Sequence, residues 1–417
     1  MAGNFVTRKA LRLLAASMAE KMPYISNAES LFPQEEMKGK KYGMAVHGYL
    51  PDAGSVYDGI VATPDKAHQV EITAYVHNKG TAVEVDLWDE FTNIDDFRKE
   101  IVDKRSQKLA REVQLGIMGE NVFRSCQVAV ATSAGLPLLG EASAKLDELS
   151  VDGERVDFQT PTVFDAIGNT TLKNFLPSAT MDKIYGENNL GKYHSAGQVQ
   201  LPGLPVVDTT GMDAAPTISM TVVKDASNNV IGLKPTSAIT GSGTGSLIKG
   251  VPYKVSGLKV VDEGGVETEQ DYVIIVNVEK QYDVDGDPQN VQYIPEIRVT
   301  VDGKGYGNPN AHMDATTLAA AIVGTTATFT LTPILTASKK YQVGQCRTIK
   351  ALSFDQYKFS DLPAAKQDSV GAYANITLKM QSAPQIINGV NCMRIDFPFC
   401  AKIWEPRRSV TTYLLLD

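Results

Sequence analysis

Between residues 212 and 343 this chain of 417 residues loses its helical period and turns rich in Thr, Val and Gly, whereas the residues on either side mix helical and strand patterns. A β stretch of about 130 residues is long enough to be a domain, and its interior position requires the flanking parts to close into one body around it. The shift begins sharply at Leu201-Pro-Gly-Leu-Pro205. Ile297, Val299 and Val301 alternate with Arg298, Thr300 and Asp302, and Ala327, Phe329 and Leu331 alternate with four threonines, so each strand should have one buried and one wet face. Tyr272 to Val278 is apolar enough for a central strand. Turn signals at Asn228-Asn229, Gly241-Ser-Gly-Thr-Gly245, Glu263-Gly-Gly265 and Asp285-Gly286 suit a small antiparallel barrel or sandwich.

Upstream, the period is two from Tyr42 to Trp88. Val70, Ile72, Ala74 and Val76, then Val83, Val85 and Leu87, alternate with more polar residues, and Asn78-Lys-Gly80 predicts a hairpin turn between them. Before that pair, Leu50-Pro-Asp-Ala-Gly-Ser-Val-Tyr-Asp-Gly59 holds turn formers with little to bury, and it should project. The period then becomes 3.6, because Ile94, Phe97, Ile101, Leu109, Val113 and Ile117 share one stripe behind a Thr92 N-cap. The expected helix is ~35 to 40 Å long. Its other face carries Arg98, Lys99, Lys104, Lys108 and Glu112.

A shorter helix is expected near 138–149, a strand near 155–159 and a helix near 162–175. The chain ends as strand, turn at Glu405-Pro406-Arg407, strand, and this pair should complete the body's sheet because its backbone must be satisfied. On that reading, deleting 212–343 leaves the sheet whole. At the other end, Ala10, Leu11, Leu14 and Met18 share a helical face, but Arg12 breaks the apolar run and Glu20-Lys21 closes it. That describes an amphipathic arm docking on a partner or on the body rather than an export signal.

Forty basic and 48 acidic residues give a net charge of −8, which excludes a protein that coats nucleic acid by charge. Four cysteines without C-x-x-C encode neither a disulfide scaffold nor a zinc site, and suit a reduced cytosolic setting. No apolar run approaches the ~20 residues that span a bilayer. Asp283-Val-Asp-Gly-Asp287 lacks the closing carboxylate of a calcium loop, with Ile294 at that place, and reads as a turn. Gly303-Lys-Gly-Tyr-Gly307 opens no helix that could hold phosphate. His47, His68, His77, His194 and His312 are scattered without ligand spacing, Ser195 beside His194 is no triad, and Cys392 and Cys400 read as buried hydrophobes. Arg407-Arg408 reads as a solvated turn or a subunit contact. No catalytic residue, cofactor or metal is expected.

The order of elements resembles a family. Strands over Val70 to Trp88 running into the helix from Ile94, the β insertion, and Met393-Arg-Ile-Asp-Phe followed by Glu405-Pro-Arg-Arg are similar to the major capsid proteins of tailed bacteriophages. The branch is that of the Hong Kong 97-like fold in short-tailed phages, an α+β fold with an inserted antiparallel β-barrel domain. The resemblance implies an N-terminal arm over 1–41, an extended loop with peripheral strands over 42–88, and a spine helix over 89–125. It implies an axial domain over 126–211 and 345–390, the inserted barrel over 212–344, and closing peripheral strands over 391–417. It further implies pentamers and hexamers forming an icosahedral shell that encloses double-stranded DNA without sequence-specific binding, assembled in the host bacterial cytoplasm. Implied partners are copies of the chain, a scaffolding protein, a portal protein, and decoration or tail proteins, with no membrane. Leu50 and Tyr57 of the loop, Leu14 and Met18 of the arm, and Arg407 and Arg408 of the last turn are the candidate subunit contacts.

Two alternatives stay open from the residues alone. One is a secreted or surface multidomain β binding protein, such as an adhesin or tail component, which predicts a discrete small oligomer and an export signal. The other is an enzyme whose site is assembled from scattered residues.

Overall fold

A computed structural model of the chain describes residues 15–18, 20–32, 42–51, 69–86, 103–133, 136–170, 192–224, 228–235, 247–282, 288–293, 297–301, 309–356, 366–373, 376–385 and 390–416. Leu14, Tyr57, most of the projecting loop, the first part of the long helix, His68, Asp283 to Asp287 and Gly303 to Gly307 lie outside these residues.

The body is organised on a sheet of seven described strands. Val128–Ala131, Ser409–Leu416, Lys340–Thr348, Arg155–Gln159, Ala196–Gln200 and Lys192–Tyr193 follow one another, and Val206–Asp208 pairs with the start of Lys340–Thr348. Arg155–Gln159 is buried at every position, because it lies inside the sheet and both of its faces are covered. The helices Asp103–Asn121 and Leu136–Glu148 supply Leu109, Val113, Ile117, Leu138, Leu139, Ala142 and Leu146 to the same apolar core. These residues recur at three- and four-residue spacing, which is why the sequence pattern located both helices. The third helix is Pro161–Thr170, with proline at the position where a missing N–H costs nothing.

The β module leaves and re-enters this sheet at one place. Val206–Asp208 runs antiparallel to Lys340, Tyr341 and Gln342, and just beyond it Thr209 N donates to Lys339 O at 2.8 Å while its hydroxyl donates to Thr336 O at 2.7 Å. Between these points six strands close on themselves in the order Pro252–Val261, Ala311–Met313, Ile297–Val301, Val230–Pro235, Thr217–Lys224, Thr326–Pro333 and back to Pro252–Val261. Thr326–Pro333 alternates as expected, with Ala327, Phe329 and Leu331 inward. Closure removes the unpaired edges that an open sheet would leave.

Four expectations are corrected. The barrel is not wholly antiparallel, since Ile297–Val301 and Ala311–Met313 run parallel. The strand Glu267–Ile275 is not central; it pairs outside the closed ring, yet Tyr272 to Ile275 are buried, and Val273 N donates to Cys126 O of the body at 3.0 Å. Arg298 does not sit on a wet face but is buried, with Nη2 donating to Asn310 Oδ1 at 2.8 Å. The deletion of 212–343 would not spare the sheet, because the body strand already begins at Lys340.

A second sheet of five described strands has the order Leu352–Gln356, Val390–Ile403, Ile376–Gln385, Lys366–Tyr373, with His77–Asp86 on the other side of Val390–Ile403. Here the hairpin expected at Asn78-Lys-Gly80 is overturned. Residues 77–86 form one uninterrupted strand against Val390 to Phe399. A turn signal is only a local preference, and ten ladder positions outweigh it. Asn78 Nδ2 donates to Asp396 Oδ1 at 3.2 Å, and a Cβ on Gly80 would lie 2.9 Å from Ile395 O, so the glycine serves close strand approach instead. The closing strands also do not pair with each other. Val390–Ile403 belongs to the five-stranded sheet and Ser409–Leu416 to the seven-stranded one, with a 3-10 turn Pro406–Arg408 between them.

Candidate functional site

Among the described residues a two-stranded ribbon stands on a small core of its own. Ala45–Pro51 pairs with Gln69–Tyr75 from Ala45 opposite Tyr75 to Pro51 opposite Gln69, and residues 52–68 join the far ends. At the near end Val46, Ala74 and Val76 are buried with Phe32, Cys400 and Trp404 in a small core separate from the main one. Leu50 is half-buried on that side. Tyr49 on the opposite face exposes 48% of its surface, and Tyr42 and Met44, just before the ribbon's near end, expose 47% and 45%.

The anchor of the ribbon is a glycine–tryptophan contact. A Cβ on Gly48 would overlap the indole of Trp404, whose ring lies 4.9 Å from that of Phe32. Lys402 Nζ adds a bond to Thr73 O at 2.5 Å. On the outer face His47 meets Glu71 and lies 3.4 Å from Thr73 Oγ1, which is surface polar pairing and not metal ligation. The two strands that flank the expected projecting segment therefore have a defined seat, while the segment itself beyond Pro51 lies outside the described residues. Neither Gly48 nor Trp404 carries a signal in sequence, because their contact joins positions more than 350 residues apart.

The N-terminal segment is held by two buried charges that sequence reading missed. Arg347 is fully buried, and it donates to Tyr24 O at 2.7 Å, Asn27 O at 2.8 Å and Thr348 O at 3.2 Å. These acceptors include the last carbonyls of the short helix Pro23–Ser26, so the guanidinium caps a helix end. Burial pushes the Tyr24 phenol up to about 12, against the opposing charge of Arg347. The second charge, Asp355, accepts from Ser30 Oγ, from Ser353 Oγ at 2.7 Å, from Leu31 N at 3.3 Å and from Phe32 N at 3.2 Å. Met18, expected on the arm's docking face, is 1% exposed in the chain's own core, so of the two docking possibilities the body takes this residue.

The C-terminal turn is likewise internal. Arg407 is 2% exposed, which corrects the expectation of a solvated turn. Its guanidinium fills the gap between barrel and body, donating to Asp262 O at 2.8 Å, to Pro309 O at 3.2 Å and to Glu405 at 3.2 Å. Arg408 bonds Glu405 and reaches Glu263 at 2.7 Å. Burial would raise the Glu405 carboxyl, but the charges of Arg407 and Arg408 outweigh it and hold the group below the usual carboxylate range.

No catalytic constellation forms among the described residues, and no group of three His, Cys, Asp or Glu there could hold a metal. His77 stacks on Phe399 at 5.5 Å, His312 pairs with Glu267 at 3.2 Å, and Cys400 is buried as expected. Asp157 is the most perturbed carboxyl. Burial in the body sheet raises it to about 7, although Gln159 Nε2 donates to its Oδ1 at 2.9 Å. It is fully buried within the sheet, beside Gln159 and Gln198.

No protein-family model matches the chain, and no curated protein matches it. Solved structures do. The capsid of Ralstonia phage GP4 is 7% identical, with a TM-score of 0.46 over 94% of this chain and 88% of that one. The capsid structure of cyanophage P-SCSP1u is 10% identical, with a TM-score of 0.44 over 93% and 90%. The asymmetric unit of the mature capsid of bacteriophage PhiM1 is 9% identical, with a TM-score of 0.41 over 93% and 86%. These scores lie below one half, so the functional reading rests on the chain's own geometry.

Proposed function

We propose that this chain is the major capsid protein of a tailed bacteriophage, assembling as pentamers and hexamers into an icosahedral shell around the phage's double-stranded DNA. The observation that carries the reading is the ribbon Ala45–Pro51 with Gln69–Tyr75. A two-stranded ribbon is marginal alone in water, and this one buries Val46, Gly48 and Ala74 on one face while Tyr49 on the other exposes 48% of its surface. A neighbouring copy would supply the missing burial. Support also comes from the order of elements: a strapped arm, a ribbon, a long helix, a mixed sheet, a closed inserted barrel and a closing strand are what the Hong Kong 97-like reading expects.

On this reading the loop over residues 50–66 reaches over a neighbour, with Leu50 and Tyr57 as contacts. Leu14 begins the path of the arm toward partners, while Met18, Arg407 and Arg408 act from inside by fixing the arm and the barrel that present the contact surfaces. The sheet at Arg155–Gln159 belongs to the axial part and the sheet at Val390–Ile403 to the peripheral part. A scaffolding protein, a portal, and decoration or tail proteins are the partners, and assembly takes place in the bacterial cytoplasm. The product resides in the virion.

The test is negative-stain microscopy of the purified protein, expressed with and without a scaffold partner. Closed shells or tubes of megadalton mass are expected. A monomer or small oligomer in every condition overturns the proposal and favours a β binding protein.

A further inference from the structure

The helix Asp103–Asn121 buries Leu109, Val113 and Ile117 and turns its opposite side to solvent. On that side Lys104, Lys108 and Arg111 are all exposed. Their spacing of four and then three residues aligns them within one narrow strip, about 10 Å long at 1.5 Å per residue. None of the three has a carboxylate partner among the described residues, and Glu112 beside them is exposed and joins none of them. Among the other described surface cations, Lys145 faces Glu141 at 3.7 Å, Lys192 faces Glu154 at 3.3 Å and Lys340 faces Asp208 at 3.8 Å, whereas Lys79, Lys339 and Lys350 stand singly without a carboxylate there. What sets this strip apart is that three cations without a described carboxylate align on one helix face, a local positive patch on a chain of net charge −8.

We propose that this strip touches the phosphate backbone of duplex DNA, as a weak contact without sequence preference between the protein and the polymer it encloses. The inference rests on the capsid reading and deepens it. Duplex DNA is the favoured occupant because it is a stiff rod whose phosphates along one strand repeat on the same few-ångström scale as the three side chains. Long side chains carrying point charges suit backbone contact and carry no base readout. The negative net charge of the whole chain keeps the affinity low, so the contact organises packed DNA near the wall without condensing it on free subunits.

The test uses fluorescence anisotropy of a short labelled duplex with the full chain, between about 50 and 200 mM salt, comparing K104Q/K108Q/R111Q with parent. The parent should bind weakly at the lowest salt. The triple variant should bind at least about tenfold more weakly there, and its slope of log affinity against log salt should be shallower by about 3, at roughly 0.9 per lost phosphate contact. A matched variant, K145Q/K192Q/K340Q, removes the same charge from paired lysines and should bind as parent. Three outcomes overturn the proposal: no duplex binding by the parent at low salt, equal loss in the matched variant, or displacement of the duplex by polyglutamate at equal charge, which assigns the strip to an acidic polypeptide. Shells that form from parent protein while any of these holds sink this inference alone, whereas absence of shells sinks the capsid reading.

Discussion

The guanidinium of Arg347 lies 4.8 Å over the ring of Tyr24 and 5.1 Å from that of Phe158, and it takes the Tyr24 and Asn27 carbonyls as acceptors. A strand at the centre of the body thus holds the segment that leads in from the N-terminus. Replacing Arg347 with Met keeps much of the volume and orphans these carbonyls, so R347M should lose about 2 to 4 kcal/mol. Urea unfolding measures the loss, and limited proteolysis should release the segment around residues 15–32 before the body opens. An unchanged midpoint with unchanged protection would refute the clasp.

Asp157 sets a pH dependence of known sign. Its folded-state value of about 7 lies above the ordinary 3.8, so the folded state holds this proton more tightly than the unfolded one. The stabilisation that it contributes is complete below about pH 4 and is lost as pH rises toward and through 7. D157N keeps an acceptor for Gln159 and removes the charge. It should melt several degrees higher than parent at pH 8, with the difference vanishing near pH 4. Parallel melting curves for the two proteins across that range would contradict the assignment.

Gly48 is a packing requirement at the base of the ribbon. A side chain there meets Trp404 on one side and Phe32 at 3.1 Å on the other. G48V should tilt or detach the ribbon while the main core, which shares no residue with this cluster, stays folded. The expected pattern is a far-UV spectrum like that of parent and shells reduced at least about tenfold by sedimentation, as expected of a lost anchor contact. Normal shell yield would show that the ribbon's seating is unimportant.

The barrel is fused to the body by more than its two chain connections. Tyr413 Oη donates to Gly250 O at 2.7 Å, Asn277 Nδ2 donates to Glu120 O at 2.8 Å, and Arg407 bridges to Asp262 and Pro309. Replacing 212–338 with a short Gly-Ser link preserves the body strand from Lys340, yet it exposes Phe123 and Cys126 and leaves Arg407 without its carbonyls. The shortened chain should bind a hydrophobic dye and unfold without a cooperative transition. A sharp transition at the parent's midpoint would show an autonomous body.

Much of the element list was legible because period and turn chemistry are local. Leu109, Val113 and Ile117 announce a helix, and Ala327, Phe329 and Leu331 announce a strand with one inward face, wherever the chain carries them. Pairing partners were less legible. The Asn78-Lys-Gly80 signal is real as a local preference, but the strand through it is decided by Val390 to Phe399, more than 300 residues away. Arg407 looked solvated for the same reason: a charged residue beside proline suggests a surface turn until a separate domain closes over it. Gly48 and Arg347 gave no signal, since a glycine's or an arginine's role depends on what approaches it.

By itself the sequence determined that a β module of about 130 residues interrupts one α+β body, and where the strands and the long helix lie, because backbone preference and the alternation of polar and apolar side chains are written residue by residue. Only the tertiary structure decided that six strands of the module close into a barrel, that the two final strands part into different sheets, and that the ribbon is seated on Trp404. Those outcomes depend on ladder bonds and contacts between residues far apart in the chain, whose free energy exists only once all the partners are in place.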